Sequence, residues 1–155
     1  MRIGTLTPRR LAFTVAALVI AFDQITKAVA VAALSDRPAV LIDGFLQFRL
    51  VRNPGAAFSL LQGAGSLIAL GAIAAAILIV LMVHRMEVTS EAAALGLVLG
   101  GAIGNLIDRV FRGSGLLDGR VVDFIDFDFF PTFNVADSAI TIGAVLAVLL
   151  AVRRR

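Results

Sequence analysis

Apolar and polar positions alternate along this chain on two length scales. On the longer scale, four apolar runs cover about residues 11–34, 67–83, 92–111 and 134–152. A membrane span needs about 20 mainly apolar residues, so each run is a candidate transmembrane helix. On the shorter scale, two of the connecting segments alternate residue by residue. "FLQFRLVR" (45–52) sets Phe45, Gln47, Arg49 and Val51 against Leu46, Phe48, Leu50 and Arg52, a weak strand pattern. "VVDFIDFDFF" (121–130) alternates Asp with Phe and Ile more clearly. "NPGAAFSLL" (53–61) follows the first strand pattern and reads as a short interfacial helix. No internal repeat or low-complexity linker interrupts the chain. The pattern predicts a mainly α integral membrane protein, one membrane domain over residues 1–155, with a four-transmembrane-helix bundle. Segments 35–66 and 112–133 form the two larger connections.

Composition supports the membrane and narrows the chemistry. The chain has 155 residues, of which 59% are hydrophobic, against about 45–50% apolar in soluble domains. It has no cysteine, one histidine (His84), no Trp or Tyr, and 11 Phe. Thiolate catalysis and Cys-ligated metals are therefore excluded, and a His-based triad or multi-His metal site is disfavoured. The usual Trp/Tyr interfacial belt is missing. A net charge of +3 is small, and nothing in its distribution indicates nucleic-acid binding. Arg2, Arg9 and Arg10 precede the first span, Arg85 lies in the 84–91 loop, and Arg153, Arg154 and Arg155 follow the last. The positive-inside rule then places both termini and that loop in the cytoplasm. Arg37, Arg49, Arg52, Arg112 and Arg120 on the outer connections weaken the bias without reversing it. The N-terminus also has the form of a cleavable signal peptide, with small residues near Ala30, but the polar set "DQITK" (23–27) interrupts it.

This orientation brings three polar clusters to one depth. With Leu11 at the inner surface and a rise of about 1.5 Å per residue, Asp23 lies about 18 Å deep and Lys27 about 24 Å, on one helix face. Span three climbs outward and ends in "GNLIDR", which carries Asn105, Asp108 and Arg109; span four descends from Asn134 and Asp137. Ionisable residues within a membrane are rare and functional candidates by default. Each also has a structural reading. Asp23 and Lys27 suit an ion pair, and Asn105, Asp108 and Arg109 suit interhelical bonds and snorkelling. Gly96, Gly100 and Gly104 recur every four residues and suit close helix packing or admission of a substrate helix. Asn134 is a good N-cap, and Asp137, three residues on, suits a capping box. Asp123, Asp126 and Asp128 suit a solvated strand face or a divalent-cation site.

Carboxylates dominate the outer cluster. Ser59 and Ser138 are possible nucleophiles, with Lys27 as a dyad partner, although a lone serine at a helix start more often serves as a hydrogen-bonding residue. Two close carboxylates share a proton. The ionised one activates water while the protonated one polarises a scissile carbonyl, with no metal or cofactor. Two other functions use the same residues. In a proton- or ion-coupled transporter subunit the relay should continue inward, yet spans two and four have no ionisable residue in their inner halves. In a metal-dependent lipid phosphotransferase the acidic stretch would hold a metal, and a chelator should abolish activity.

The ordered blocks "DQITK" (23–27), "NPGAAFS" (53–59), "GNLIDR" (104–109), "VVDFIDF" (121–127) and "FNVADSAI" (133–140) resemble those of lipoprotein signal peptidase, also called signal peptidase II. Each block alone is weak, but five in order are specific. The resemblance implies a bacterial inner-membrane aspartyl endopeptidase, with its termini in the cytoplasm and its site near the outer leaflet. Its partners would be membrane lipid and diacylglyceryl-modified prolipoproteins, cut on the amino side of the lipidated Cys, and a monomer suffices. By position it implies Asp123 and Asp137 as the catalytic pair. Asp23, Lys27, Asn53, Asn105, Asp108, Arg109, Asn134 and Ala136 would bind substrate or support the site. A helix dipole favours charge on Asp137, making it the expected base and Asp123 the resting acid. Asp23 and Lys27 would brace the site, while Arg109 with Asn105 would orient loops or substrate carbonyls. The resemblance also implies an extracytoplasmic β-cradle from the 38–52 region and a short helix near 56–62 over the site.

Overall fold

The fold is that of a computed structural model, which describes residues 6–55 and 65–153. The short helix expected near 56–62, and Ser59 with it, lie outside the described residues. Four helices are long and apolar enough to cross a membrane: α1 (Pro8–Ala33), α2 (Gly65–Val83), α3 (Thr89–Phe111) and α4 (Val135–Arg153). Thr7 caps α1, accepting the Arg10 N–H at 3.4 Å, and Pro8 follows in the first turn, where its missing N–H costs nothing. The expected spans began two or three residues late at α1, α2 and α3, because polar first turns carry no apolar signal.

The bundle centres on α3, which packs extensively against both α1 and α4 and also carries α2. Adjacent glycines make this possible. A Cβ on Gly100 would come within 2.7 Å of the Val19 Cβ on α1, and one on Gly101 within 2.7 Å of the Ile140 Cγ1 on α4. Neither gap admits a methyl group, so α3 approaches two helices at near-backbone contact. Gly96 extends the contact along α1, against Ala12 and Val15, and so the Gly96–Gly100 face belongs to internal packing. By contrast α2 is apolar all round, with residues such as Leu67, Leu70, Ile77, Leu78 and Leu81 exposed, as a lipid-facing helix requires.

A four-stranded antiparallel sheet caps one end of the bundle, with strands β1 (Ala39–Ile42), β2 (Leu46–Asn53), β3 (Val121–Phe127) and β4 (Phe130–Phe133) in spatial order β1-β2-β3-β4. Gly44, at φ +66°, closes the first hairpin, and Phe45 N–H donates to the Ile42 carbonyl across it at 3.1 Å. Pairing of β2 with β3 slips by one residue: Phe48 faces Ile125 but Val51 faces Asp123, so Arg49 and Leu50 together oppose Phe124. This bulge re-phases β2. On a regular strand Gln47, Arg49 and Asn53 would share one face. The extra residue lets Gln47 and Arg49 reach Asp126 on one side of the sheet while Asn53 reaches Asp123 on the other.

Candidate active site

The deepest layer of the site is ionic. The Lys27 ammonium on α1 donates to Asp23 Oδ2 at 2.8 Å, Asp108 Oδ2 at 3.0 Å and Asn105 Oδ1 at 2.9 Å. These contacts use all three of its protons, and Lys27, Asp23 and Asp108 are fully buried. Each carboxylate then reaches another element. Asp23 Oδ1 accepts the Ala136 N–H on α4 at 3.0 Å. Asp108 Oδ2 accepts the Val122 N–H on β3 at 3.0 Å, and its Oδ1 accepts Arg112 Nε at 2.8 Å. One cation thus fixes α1, α3, α4 and β3 relative to each other. Ala136 serves through its backbone, and its buried methyl leaves room for the close passage of Gly104.

Above this layer lies a chain of side-chain amides. Asn105 Nδ2 donates to Asp137 Oδ1 at 2.7 Å, and its Oδ1 accepts Asn134 Nδ2 at 3.1 Å. Asn134 Nδ2 also donates to Asp123 Oδ1 at 2.7 Å, and Asn53 Nδ2 donates to Asp123 Oδ2 at 2.9 Å. The sequence Asp137–Asn105–Asn134–Asp123 is therefore continuous. The capping box forms as well: Asn134 Oδ1 accepts the Asp137 N–H at 2.9 Å, and the Asn134 N–H donates to Asp137 Oδ2 at 3.2 Å. Capping and placement of Asp137 are one arrangement.

Both carboxylates border a single cavity of about 1030 Å³. Its described walls include Asn53 and Gly55, Ile68 of α2, Arg109, all four residues of β4, and Ser138, Thr141 and Ile142 of α4. Burial raises the Asp123 pKa from 3.8 to about 6; the amides of Asn53 and Asn134 oppose the shift and the charge of Asp137 adds to it. The Arg109 guanidinium donates through Nη1 to the Asn105 carbonyl at 3.2 Å, while its buried Nε has no partner among the described residues.

All ten residues expected at the site thus gather in one place. Gln24 and Arg112 join them without having been singled out. Gln24 Nε2 donates to Asp23 Oδ2 and the Gly104 carbonyl, each at 3.1 Å, and Arg112 pairs with Asp108. Arg112 was detectable as the i+4 partner of Asp108, and Gln24 by its place beside Asp23. The aspartates of β3 do not form one acidic face. Asp126 turns away from Asp123 and binds Arg49, Gln47 and Thr132. Nor, among the described residues, does Lys27 pair with a serine: the Ser138 hydroxyl donates to the Asn134 carbonyl at 3.0 Å.

Residues 15–153 match the family model for signal peptidase (SPase) II. The chain belongs to the signal peptidase II family. Members named lipoprotein signal peptidase include one from Rhodococcus jostii, 48% identical over 92% of this chain and 72% of the relative. One from Mycolicibacterium smegmatis is 45% identical over 91% and 60% of the two chains, and one from Mycobacterium avium 43% over 92% and 79%. A solved structure described as a bacterial membrane enzyme, determined by the in meso method at 2.3 Å resolution, superposes with a TM-score of 0.78. It shares 33% identity, over 92% of this chain and 87% of that one. This signal peptidase II chain is accordingly a bacterial multi-pass membrane protease, and its aspartate-rich, thiol-free site suits the aspartic type.

Proposed function

We propose that Asp123 and Asp137 are the catalytic pair with which this signal peptidase removes signal peptides from diacylglyceryl-modified prolipoproteins. The observation that carries the reading is the amide chain joining the two carboxylates at one cavity. It fixes both carboxyl orientations without neutralising either by a cation. Lys27 is committed to Asp23, Asp108 and Asn105.

The chemistry follows from two coupled carboxyls and a water. With one proton between them, the ionised carboxylate, assigned to Asp137, removes a proton from water. The resulting hydroxide attacks the carbonyl carbon before the lipidated Cys, and the Asp123 carboxyl gives its proton to the carbonyl oxygen. Collapse of the gem-diol breaks the C–N bond, and a proton passes to the departing Cys nitrogen. Arg109 borders the cavity and suits the orientation of a substrate carbonyl. Asp23, Lys27 and Asp108 hold the framework, and Asn53, Asn105, Asn134 and Ala136 position the pair. Ile68 and Ile142 flank the cavity with apolar surface suited to acyl chains.

The same reading has one membrane domain acting as a monomer in the bacterial inner membrane. Both termini are cytoplasmic, and the sheet and carboxylates lie at the outer leaflet. That depth matches a bond at the outer end of a signal helix. No observation favours the transporter or the lipid phosphotransferase. The test is to incubate purified protein with a prolipoprotein bearing or lacking its diacylglyceryl group. Mass spectrometry should find a new N-terminal lipidated Cys from the modified substrate alone. Cleavage at another bond, or equal cleavage of the unmodified form, would overturn the reading.

A further inference from the structure

Four residues of α4 border the cavity: Asp137, Ser138, Thr141 and Ile142. Their spacing of three and four residues puts them on one helix face. Ser138 and Thr141 are also the only hydroxyl side chains of α4. Both hydroxyl protons are committed. Ser138 Oγ donates to the Asn134 carbonyl at 3.0 Å, and Thr141 Oγ1 donates to the Asp137 carbonyl at 2.9 Å. A hydroxyl that has given up its proton keeps only acceptor lone pairs. Ser138 is half-buried, whereas Thr141 is exposed. Thr141 therefore presents an acceptor and no donor to the cavity. It lies one turn, about 5.4 Å, further into the span than Asp137.

We propose that the Thr141 hydroxyl accepts one backbone N–H of the substrate's signal segment and so sets the register of that segment against Asp137. This rests on the catalytic reading of Asp123 and Asp137. A peptide bond presented for hydrolysis must leave its signal helix. The N–H groups beside it then lose their helical acceptors near the membrane, where unpaired groups are costly. Arg109 offers donors only. Both carboxylates already accept amide N–H groups and must also hold the water. Thr141 supplies the missing acceptor. It stands on the wall that the segment must follow, because α4 carries Asp137 in its first turn and runs from there into its span. An extended chain advances about 3.3 Å per residue, so one helical turn corresponds to roughly two residues. The N–H in question is therefore about two residues to the signal side of the scissile bond. The bond from Thr141 to the Asp137 carbonyl also satisfies the hydroxyl within its own helix, and the two roles use different sides of one oxygen.

The test uses diacylglyceryl-Cys peptides in which one backbone amide at a time, on the signal side of the cysteine, is replaced by an ester. Each ester removes one N–H. Affinity is read by competition on the Asp137→Asn variant, with and without Thr141→Val, and cleavage on the unsubstituted protein. One ester, about two residues from the scissile bond, should weaken binding about tenfold. Thr141→Val should weaken the all-amide peptide by a similar factor and abolish the further loss from that ester, and Thr141→Ser should restore it. A purely structural role for Thr141 would leave the ester losses unchanged. Losses that add in the Thr141→Val background, or that disappear in Ser138→Ala instead, would overturn the proposal. Non-additive losses in affinity with no cleavage of the all-amide peptide by the unsubstituted protein would keep the Thr141 contact and sink the catalytic reading.

Discussion

Asp123 and Asp126 stand three residues apart on β3 and meet opposite environments. Hydrogen bonding from Arg49 brings Asp126 from 3.8 to about 2, with Thr132 and Gln47 adding donors and burial opposing. Its stabilisation is complete above the ordinary carboxylate range and is lost as pH falls through that range to about 2. Arg49 is half exposed, so the pair contributes no more than about 1 kcal/mol. Asp126→Asn should therefore cleave within about twofold of the parent rate and melt only slightly earlier at neutral pH, as a cleavage assay and a thermal melt will read. Asp123 behaves oppositely. Its folded pKa, about 6, exceeds 3.8, so the folded protein holds that proton more tightly than the unfolded chain. The contribution is full below 3.8 and is lost as pH rises through about 6. Above that, a buried carboxylate costs up to about 3 kcal/mol. Asp123→Asn should melt higher than the parent above pH 6, and the gap should close toward pH 4. A gap independent of pH would refute the assignment. Spacing alone left Asp123, Asp126 and Asp128 open to one solvated face; three-residue separation on a strand already argued against it for Asp123 and Asp126.

At the scale of elements, glycine spacing and helix caps were legible because they are local. Gly96 and Gly100 recur on one helix face, and Asn134 with Asp137 reads as a capping box from their spacing alone. Gly100→Val should destabilise the protein by roughly 1–3 kcal/mol by separating α1 from α3. An unchanged melting temperature would show that the contact gives way freely. Two strands escaped the reading of residues. β1 and β4 have four residues each, too few to establish a period, and Asp128 and Phe129 continue the alternation of β3 through the turn into β4. The bulge at Arg49 and Leu50 left only a slip of phase at Leu50 and Val51, too short to read as a bulge from one strand. A slip of register becomes visible only against the partner strand, and β3 lies some 70 residues away.

For the molecule as a whole, the spans and their order follow from hydrophobic length, and the polar clusters of the first, third and fourth spans converge. Convergence at one depth did not say which groups would touch. That depended on α3 lying between α1 and α4 and on the sheet bringing Asp123 over the start of α4. The central claim is that the amide-linked carboxylates perform the hydrolysis, and two substitutions test it most directly. Asp123→Asn and Asp137→Asn, each shown to be folded by its melt, are assayed on a diacylglyceryl-modified prolipoprotein. Each should lose roughly 10²–10⁴-fold in cleavage rate, as expected for removal of an acid or base from the reacting pair. Cleavage by either folded variant at the parent rate would contradict the account.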